Sequence, residues 1–272
     1  MRVGLVQMRS GVEIDANIAD ADRLIRQAAE KGAAFVATPE TTHLVEKNAD
    51  RLFEKLRAPE DESAIPHFAA LAKELGITLL IGSLALKTGA RRAVNRSHLF
   101  GPEGELIATY DKIHMFDVGL GAGETYSEST NYDAGATAAL ADIPGARLGL
   151  TICYDVRFPY LYRALAQAGA EILTVPAAFT RPTGKAHWEI LLRARAIETG
   201  CYVLAPAQGG QHEDGRKTWG HSLIVGPWGE VVAALDHDEP GILLGDLDVA
   251  KVANARIRIP ALLHDRDYTG PA

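Results

Sequence analysis

The stretch 147–159, RLGLTICYDVRFP, places a single cysteine between an apolar run and a proline. The run 147–152 predicts a buried strand, and the amphipathic segment 160–168, which Gly169 follows, predicts a helix. Cys153 therefore lies where a strand ends and before a helix begins. Ligands of open α/β sheets bind beyond the carboxyl ends of strands, so a reactive side chain at this position would meet a substrate.

The rest of the chain alternates in the same way between short apolar runs and longer amphipathic segments. The apolar runs predict strands at 3–8, 34–38, 78–84, 94–100, 106–110, 136–143, 147–152, 172–176, 202–207, 221–225, 231–235 and 242–247. The amphipathic segments predict helices at 16–31, with Asp15 as a possible N-cap, and at 63–75, 160–168 and 188–199, each followed by a glycine.

The turn sequences at 101–104, 144–145 and 226–229 predict hairpins, so antiparallel strands mix with helical crossovers. About a dozen strands are too many for one simple parallel sheet. The pattern therefore predicts an α/β fold in which two packed sheets carry helices on their outer faces. The polar, glycine-rich segment 111–135 is predicted as a long functional loop.

The composition favours a protein that binds small molecules. The chain has 272 residues, with 28 Lys and Arg against 35 Asp and Glu and a formal net charge of −7. Nucleic acids and anionic membranes bind clustered positive charge, so neither is an expected partner. No apolar run approaches the roughly 18 residues of a membrane span, and residues 1–8 show no leader pattern. We therefore expect a soluble, cytoplasmic protein.

The chain contains two cysteines, Cys153 and Cys201, which are too few for a disulfide scaffold. We expect a reducing compartment, with Cys201 in the core. The length suits one large domain. Residues 1–272 are accordingly predicted to form a single domain, with an extended tail from about residue 258.

Three polar residues follow predicted strands. Glu40 comes after the run 34–38, Lys112 after 106–110, and Cys153 after 147–152. A thiol attacks as its thiolate, which requires a base or a positive neighbour, and Glu40 and Lys112 supply these. A lysine also stabilises an oxyanion, so the set suits acyl transfer from an amide.

The residues alone leave other interpretations open. A single cysteine at a strand end is often a small buried apolar residue. A glutamate after a proline is common at a helix N-terminus, and a lysine beside Asp111 is often a solvated charge. His187 and His221 offer a Cys–His pairing, although Glu40 and Lys112 complete a catalytic set without them.

Four segments closely resemble motifs of the carbon-nitrogen hydrolase (nitrilase) superfamily. They are Thr38-Pro39-Glu40, YDKIHMFD at 110–117, GLTICYDVRFP at 149–159 and AHWEILLRARA at 186–196. The resemblance runs from residue 1 to about residue 268. It implies a four-layer α-β-β-α sandwich that usually dimerises through its outer helices, so we expect a homodimer or a higher homo-oligomer.

The resemblance also implies a Glu-Lys-Cys triad. Glu40 matches the general base, Lys112 the oxyanion-stabilising lysine and Cys153 the nucleophile. Glu128 falls where a second glutamate positions the lysine and the substrate, and the backbone N–H of Tyr154 would support the oxyanion. The implied reaction passes through a thioester on Cys153 and releases acid and ammonia, with no metal or organic cofactor.

The residues after Cys153 distinguish branches of the superfamily. Nitrilases proper resemble Cys-Trp-Glu at this point, and carbamoylases carry an arginine pair shortly after the cysteine. This chain has CYDVRF at 153–158, with TGKAHWE at 183–189 and WGHS at 219–222. It resembles the Nit-type amidase branch, which hydrolyses deaminated glutathione and ω-amides of α-keto acids, and we expect the first of these activities.

Both substrates carry a carboxylate, which a guanidinium pairs with in two-point geometry. Arg157 is therefore a substrate-binding candidate together with Phe179, although an ion pair of Arg157 with Asp155 or Glu189 is an alternative. The chain departs from the branch at Tyr160, where a glutamate is usual, and in the glycine-rich segment 119–123. The other hypotheses are an ω-amidase, an N-carbamoyl amino acid hydrolase and a catalytically silent dimeric scaffold.

Overall fold

Two six-stranded mixed sheets form the centre of the molecule. The structure, a computed structural model, describes residues 1–121 and 124–271. In spatial order, the first sheet consists of β16 (Gly241–Asp246), β1 (Arg2–Gln7), β2 (Phe35–Ala37), β3 (Thr78–Gly89), β4 (Arg92–Phe100) and β5 (Leu106–Asp111). The second consists of β15 (Val231–Ala234), β14 (Leu223–Val225), β11 (Tyr202–Ala205), β10 (Ile172–Thr174), β9 (Ala146–Leu150) and β8 (Ala139–Ile143).

Each sheet has a parallel centre flanked by antiparallel strands. β1, β2 and β3 run parallel in the first sheet, and β9, β10 and β11 in the second. Parallel neighbours need crossover connections, which the helices supply. As a result, β2 and β9 deliver the segments that follow them to one edge of the molecule, where side chains from both sheets can meet.

The helices cover the outer faces of the sheets. They are α1 (Ile14–Glu30), α2 (Ala49–Lys55), α3 (Ala64–Leu75), α4 (Pro159–Gln167), α5 (Arg181–Thr199) and α6 (Ala250–Arg258). α1 and α3 contact the first sheet, and α4 and α5 contact the second. The predicted α-β-β-α sandwich is therefore confirmed.

The alternation of side chains in β2 shows why the layers stack in this order. Phe35 and Ala37 point into the apolar core between the two sheets, and Val36 points into the core beneath α1 and α3. Successive side chains of a strand face opposite sides of its sheet. A strand with no polar side chain is therefore buried on both faces.

All the predicted strands and helices are present. Some begin or end at other residues than predicted, and further elements lie between them. The structure adds α2 and α6 and two short hairpins, β6 (Asp117–Gly121) with β7 (Glu124–Ser127) and β12 (Gly209–Gln211) with β13 (Lys217–Trp219). Three of these strands lack the apolar alternation that identifies a strand, and in β6 it is limited to Val118 and Leu120. The predicted long loop at 111–135 thus contains the first hairpin, and Ala122 and Gly123 of the segment 119–123 lie outside the described residues.

Two helix starts differ from prediction. The predicted N-cap at Asp15 is wrong, because α1 begins at Ile14 and Glu13 makes no side-chain cap. α5 begins at Arg181 rather than 188, since the Thr180 side chain caps it and Pro182 occupies its first turn. After α6 the regular structure is a 3-10 turn at Ala261–Leu263. Among the described residues, no helix combines the length and apolarity that crossing a membrane requires.

Candidate active site

The structure brings Glu40, Lys112 and Cys153 together from three strand ends. Glu40 follows β2, Lys112 follows β5 directly, and Cys153 follows β9 from the facing sheet. The Lys112 Nζ donates to Glu40 Oε1 at 2.8 Å, and all three side chains line one cavity. The predicted convergence of a thiol, a carboxylate and an ammonium is thus observed.

Cys153 sits on a strained turn. Its φ of 50° lies in the left-handed region, which non-glycine residues seldom adopt. The turn is held by hydrogen bonds, since the Cys153 N–H donates to the Pro176 carbonyl at 2.9 Å and the Ile152 N–H donates to Asp155 Oδ2 at 2.9 Å. Strain of this kind persists where surrounding contacts impose it, and it is frequent at functional sites.

The Asp155 carboxylate connects this turn to the segment that carries Lys112. Asp155 is fully buried. It accepts hydrogen bonds from the Tyr110 hydroxyl at 2.7 Å and from the His114 backbone N–H at 3.0 Å, and its Oδ1 lies 2.6 Å from the His114 Nδ1. Burial, reinforced by the Asp155 charge, raises the pKa of Tyr110 far above its usual range, so the hydroxyl remains a donor.

Glu40 depends on a close backbone approach at Gly82. A Cβ at position 82 would lie 2.0 Å from the Thr38 carbonyl oxygen and 2.8 Å from that of Pro39. The Gly82 N–H in turn donates to Thr38 Oγ1 at 3.0 Å. Only glycine leaves room for the chain that leads from β2 to Glu40.

Glu128 completes a second contact to Lys112. The Lys112 Nζ donates to Glu128 Oε2 at 2.8 Å and Oε1 at 3.0 Å, and the Phe116 N–H donates to Oε2 at 2.6 Å. Glu128 follows the β6–β7 hairpin, so this hairpin carries it to the lysine. The structure therefore places Glu128 beside Lys112, as the resemblance implied.

Two carboxylates hold the positive charge of Lys112. Burial by itself would lower the pKa of this ammonium, but the charges of Glu128 and Glu40 outweigh burial and raise its pKa well above the usual value. The lysine therefore stays charged, and a charged lysine can stabilise an oxyanion.

The Cys153 side chain is shielded from solvent and faces an anion. Burial, with the Glu40 charge next in importance, raises the pKa of the thiol, and Lys112 opposes the shift without cancelling it. The resting side chain is thus a thiol, which would have to lose its proton to a neighbouring base to become a nucleophile.

The cavity above the triad has a volume of about 790 Å³. Its aromatic lining consists of Phe116, Tyr126, Tyr132, Tyr154 and Phe179. The hairpins β6–β7 and β12–β13 form part of its wall. A cavity of this size accepts a substrate well beyond a simple primary amide.

The two predicted substrate-binding residues occupy different places. Phe179 lines the cavity. Arg157 lies behind the lining, with its Cζ 5.6 Å from the centroid of the Tyr154 ring and 5.5 Å from that of Phe179. The Arg157 side chain also lies 3.2 Å from His187 Nδ1, and within the described residues it forms no ion pair with Asp155 or Glu189.

Sequence reasoning missed several cavity residues. Asn95 lies in the middle of β4 and its Nδ2 donates to Glu40 Oε1 at 2.9 Å. The signal for it was an asparagine inside an apolar strand, where this residue type is depleted. It also missed four cationic residues that line the cavity, namely Lys47, Arg181, Arg216 and Lys217.

Trp188 and Cys201 make their contacts outside the triad. The Trp188 and Phe179 ring centroids lie 4.9 Å apart, and Trp188 donates from Nε1 to the His221 carbonyl at 2.8 Å. Cys201 is fully buried, with its Sγ 3.2 Å from the Ala170 carbonyl oxygen. Within residues 1–121 and 124–271, no group of three or more His, Cys, Asp or Glu side chains is arranged to hold a metal ion.

The chain is similar in sequence to known proteins. A family model described as carbon-nitrogen hydrolase matches residues 2–257. The deaminated glutathione amidase of Yersinia enterocolitica is 40% identical over 267 residues, which is 97% of this chain and 92% of that protein.

Two solved structures resemble the fold closely. The NitFhit protein of C. elegans aligns with a TM-score of 0.90 at 35% identity, over 97% of this chain and 65% of its own length. A mutant amidase from Nesterenkonia, with acrylamide added at its active-site cysteine, aligns with a TM-score of 0.80 at 27% identity, over 96% of this chain and 98% of its own.

Proposed function

Since this chain belongs to the carbon-nitrogen hydrolase family, we propose that it is a cysteine-dependent amidase acting on deaminated glutathione, the substrate named for its relative in Yersinia enterocolitica. The observation that carries the proposal is the buried cluster of Glu40, Lys112 and Cys153 that lines the cavity. A thiol, a carboxylate and a permanently charged ammonium are the groups that acyl transfer from an amide requires.

In the first half-reaction, Glu40 takes the proton of the Cys153 thiol and the thiolate adds to the amide carbonyl carbon. The carbonyl oxygen becomes an oxyanion, which Lys112 stabilises together with the backbone N–H of Tyr154. Glu40 then gives its proton to the departing nitrogen, the C–N bond breaks, and a thioester remains on Cys153.

In the second half-reaction, a water molecule enters and Glu40 takes one of its protons. The hydroxide adds to the thioester carbonyl, the C–S bond breaks and the free acid leaves. The proton on Glu40 returns to the sulfur, so both residues recover their starting states. Glu128 holds Lys112 in place throughout, because its two oxygens both accept from that ammonium.

The leaving group depends on the amide. Deaminated glutathione keeps the substituted amide nitrogen of a peptide, so its hydrolysis releases an amine, whereas an ω-amide of an α-keto acid releases ammonia. The cavity of about 790 Å³ favours the larger substrate. Phe179 and Tyr154 would pack against the apolar part of the substrate. Arg157 lies against these two rings and would affect substrate binding by holding them in place.

The proposal extends to a single-domain, cytoplasmic homodimer paired through outer helices. Exposed apolar side chains on and around α4, α5 and α6 support the pairing: Tyr160 is 63% exposed, Ile190 70%, Ile197 56%, Trp228 48% and Ile257 77%. Burying these side chains in an interface would remove their apolar surface from water. Light scattering that gives the mass of a monomer at micromolar concentration would contradict this part of the proposal.

The test compares the products formed from deaminated glutathione, an α-keto acid ω-amide, an N-carbamoyl amino acid and a nitrile by mass spectrometry. We expect the highest kcat/KM for deaminated glutathione and no turnover by Cys153→Ala, which should keep the fold. Faster hydrolysis of the ω-amide would make the protein an ω-amidase, and release of carbon dioxide with ammonia would make it a carbamoylase. No hydrolysis of any of the four, with Cys153 unreactive towards iodoacetamide, would favour the silent scaffold.

A further inference from the structure

The side chain of Asn95 lies between the two carboxylates of the site. It is buried on β4, and its Nδ2 donates to Glu40 Oε1 at 2.9 Å and reaches Glu128 Oε1 at 3.5 Å. The backbone carbonyl oxygen of Asn95 accepts from the Lys112 backbone N–H at 2.9 Å. Asn95 therefore touches each of the three residues that carry the charges of the cluster.

The orientation of the Asn95 amide group follows from hydrogen-bond chemistry. Carboxylate oxygens accept hydrogen bonds, so the group that faces two of them must be the NH₂. The opposite orientation would bring the Oδ1 of Asn95 against two anions. In the described part of the chain, that Oδ1 is buried and meets no donor, so no competing contact pulls the amide over.

This arrangement makes the two oxygens of Glu40 unequal. Oε1 accepts from both the Lys112 ammonium and Asn95. Oε2 accepts from the Ala178 backbone N–H at 2.9 Å. An oxygen with two donors has both of its lone pairs occupied, so a new proton can bind Oε2 without displacing a contact.

We propose that Asn95 is a positioning residue that directs the Cys153 proton to Oε2 of Glu40. By holding Oε1 against Lys112, it leaves Oε2 as the basic atom. The proton moves from Sγ to Oε2 and later from Oε2 to the departing nitrogen, and Asn95 neither gains nor loses a proton. The inference rests on the proposed amidase function.

The first test is the variant Asn95→Ala. It removes the contact to Oε1, and we expect kcat to fall about 10- to 100-fold with KM within about 2-fold, as loss of one charge-assisted hydrogen bond implies. The matched control is Asn17→Ala. Asn17 is also buried, but its side chain bonds to the backbone of Gly11 and His43 and to none of the triad residues. We expect the kcat of Asn17→Ala to stay within about 3-fold of the wild-type value. All kcat values are measured below the melting temperature of each variant.

The second test is Asn95→Asp, which keeps the shape and adds a third carboxylate. A protonated Asp can donate to Glu40 again, and an ionised one repels it. Its activity relative to the wild type at the same pH should therefore rise as the pH falls. Circular dichroism at each pH separates this rescue from changes in folding.

The third test needs no amide substrate. The rate of Cys153 alkylation by iodoacetamide is followed against pH, with the modified residue identified by mass spectrometry. The midpoint should shift in Asn95→Ala and stay in place in Asn17→Ala. Equal losses of kcat in these two variants with an unmoved midpoint would overturn the inference. A moved midpoint in a protein that hydrolyses no amide would instead sink the proposed function and leave the assignment of Asn95 standing.

Discussion

The ammonium nitrogen of Lys112 lies 2.8 Å from a carboxylate oxygen of Glu40, and both side chains are buried. Glu128 provides a second carboxylate at the same distance. One buried cation thus balances part of the charge of two anions. Buried charges are costly unless they are paired and hydrogen-bonded, so the three side chains depend on one another.

Replacing the lysine should destabilise the protein as well as inactivate it. Lys112→Met leaves the buried carboxylate of Glu40 and the partly buried carboxylate of Glu128 unbalanced, and we expect the free energy of unfolding to fall by about 3–5 kcal/mol. Urea unfolding measures this loss. Lys185→Met, at an exposed position of α5, is the control and should change stability by less than about 0.5 kcal/mol. Equal stability of the two variants would contradict the prediction.

A methyl group at position 82 should displace Glu40. The new Cβ of Gly82→Ala would overlap the Thr38 carbonyl oxygen at 2.0 Å, so the backbone before Glu40 has to move. We expect kcat to fall by about 10²-fold or more, since shifts of about 1 Å at a catalytic group have effects of this size. Gly241→Ala, where nothing lies within 4 Å of the new atom, is the matched control. Wild-type kcat in Gly82→Ala would show that this close approach does not position Glu40.

Removing the Asp155 carboxylate should loosen the turn that carries Cys153. Asp155→Ala leaves the Tyr110 hydroxyl and the backbone N–H groups of Ile152 and His114 without their acceptor. Unsatisfied buried groups cost about 1–3 kcal/mol each, so we expect a loss of several kcal/mol together with much lower kcat. Thermal unfolding and steady-state kinetics test this. Asp142→Ala, which breaks only an exposed pair with Arg147, should leave both nearly unchanged.

Acid should destabilise the protein through His43. Burial lowers the pKa of this fully buried histidine to about 4. The unfolded chain binds the proton near pH 6.5, so the contribution of His43 to stability is complete above that pH and is lost as the pH falls towards 4. At pH 5 the resulting decrease in the free energy of unfolding is about 2 kcal/mol.

Two neighbours of His43 modify this pH dependence. Burial raises the pKa of Glu62, whose Oε2 lies 3.8 Å from His43 Nε2, and this shift acts in the opposite direction. The positive charge of protonated His98 acts in the same direction as burial. Chemical unfolding of the wild type and His43→Phe at pH 7 and pH 5 isolates the effect. The variant should lose less stability between the two pH values, and an identical loss would exclude His43 as the source.

Binding of the substrate carboxylate should depend more on Arg216 than on Arg157. Arg216 lines the cavity, and its charge opposes the burial that raises the pKa of Tyr126 to about 12. Arg157 lies behind the aromatic lining. For an α-keto acid amide we expect Arg216→Ala to raise KM about 10-fold, as loss of a charge-assisted hydrogen bond implies, and Arg157→Ala to raise it less. A neutral amide of similar size is the control substrate. A larger KM effect of Arg157→Ala would return the carboxylate site to that residue.

The central strands were predictable because the residues of each strand are themselves apolar, so the local sequence already indicates burial. Runs such as the one that contains Phe35, Val36 and Ala37 are apolar on both faces, and glycines follow the helices. The two cavity hairpins were missed because their short strands carry few apolar side chains, as around the exposed Thr125. Their position depends on the cavity they border rather than on their own pattern.

The sequence by itself determined the chemistry that is available: one cysteine, one glutamate and one lysine at strand ends, within a two-sheet α/β fold. Tertiary structure alone decided that Asn95 joins the carboxylates and that Arg157 lies behind the cavity wall. The physical reason is the distance along the chain between the residues that interact. Strand and helix patterns arise from neighbours in the chain, whereas Asn95 and Glu40 are 55 positions apart and meet only when the sheet assembles.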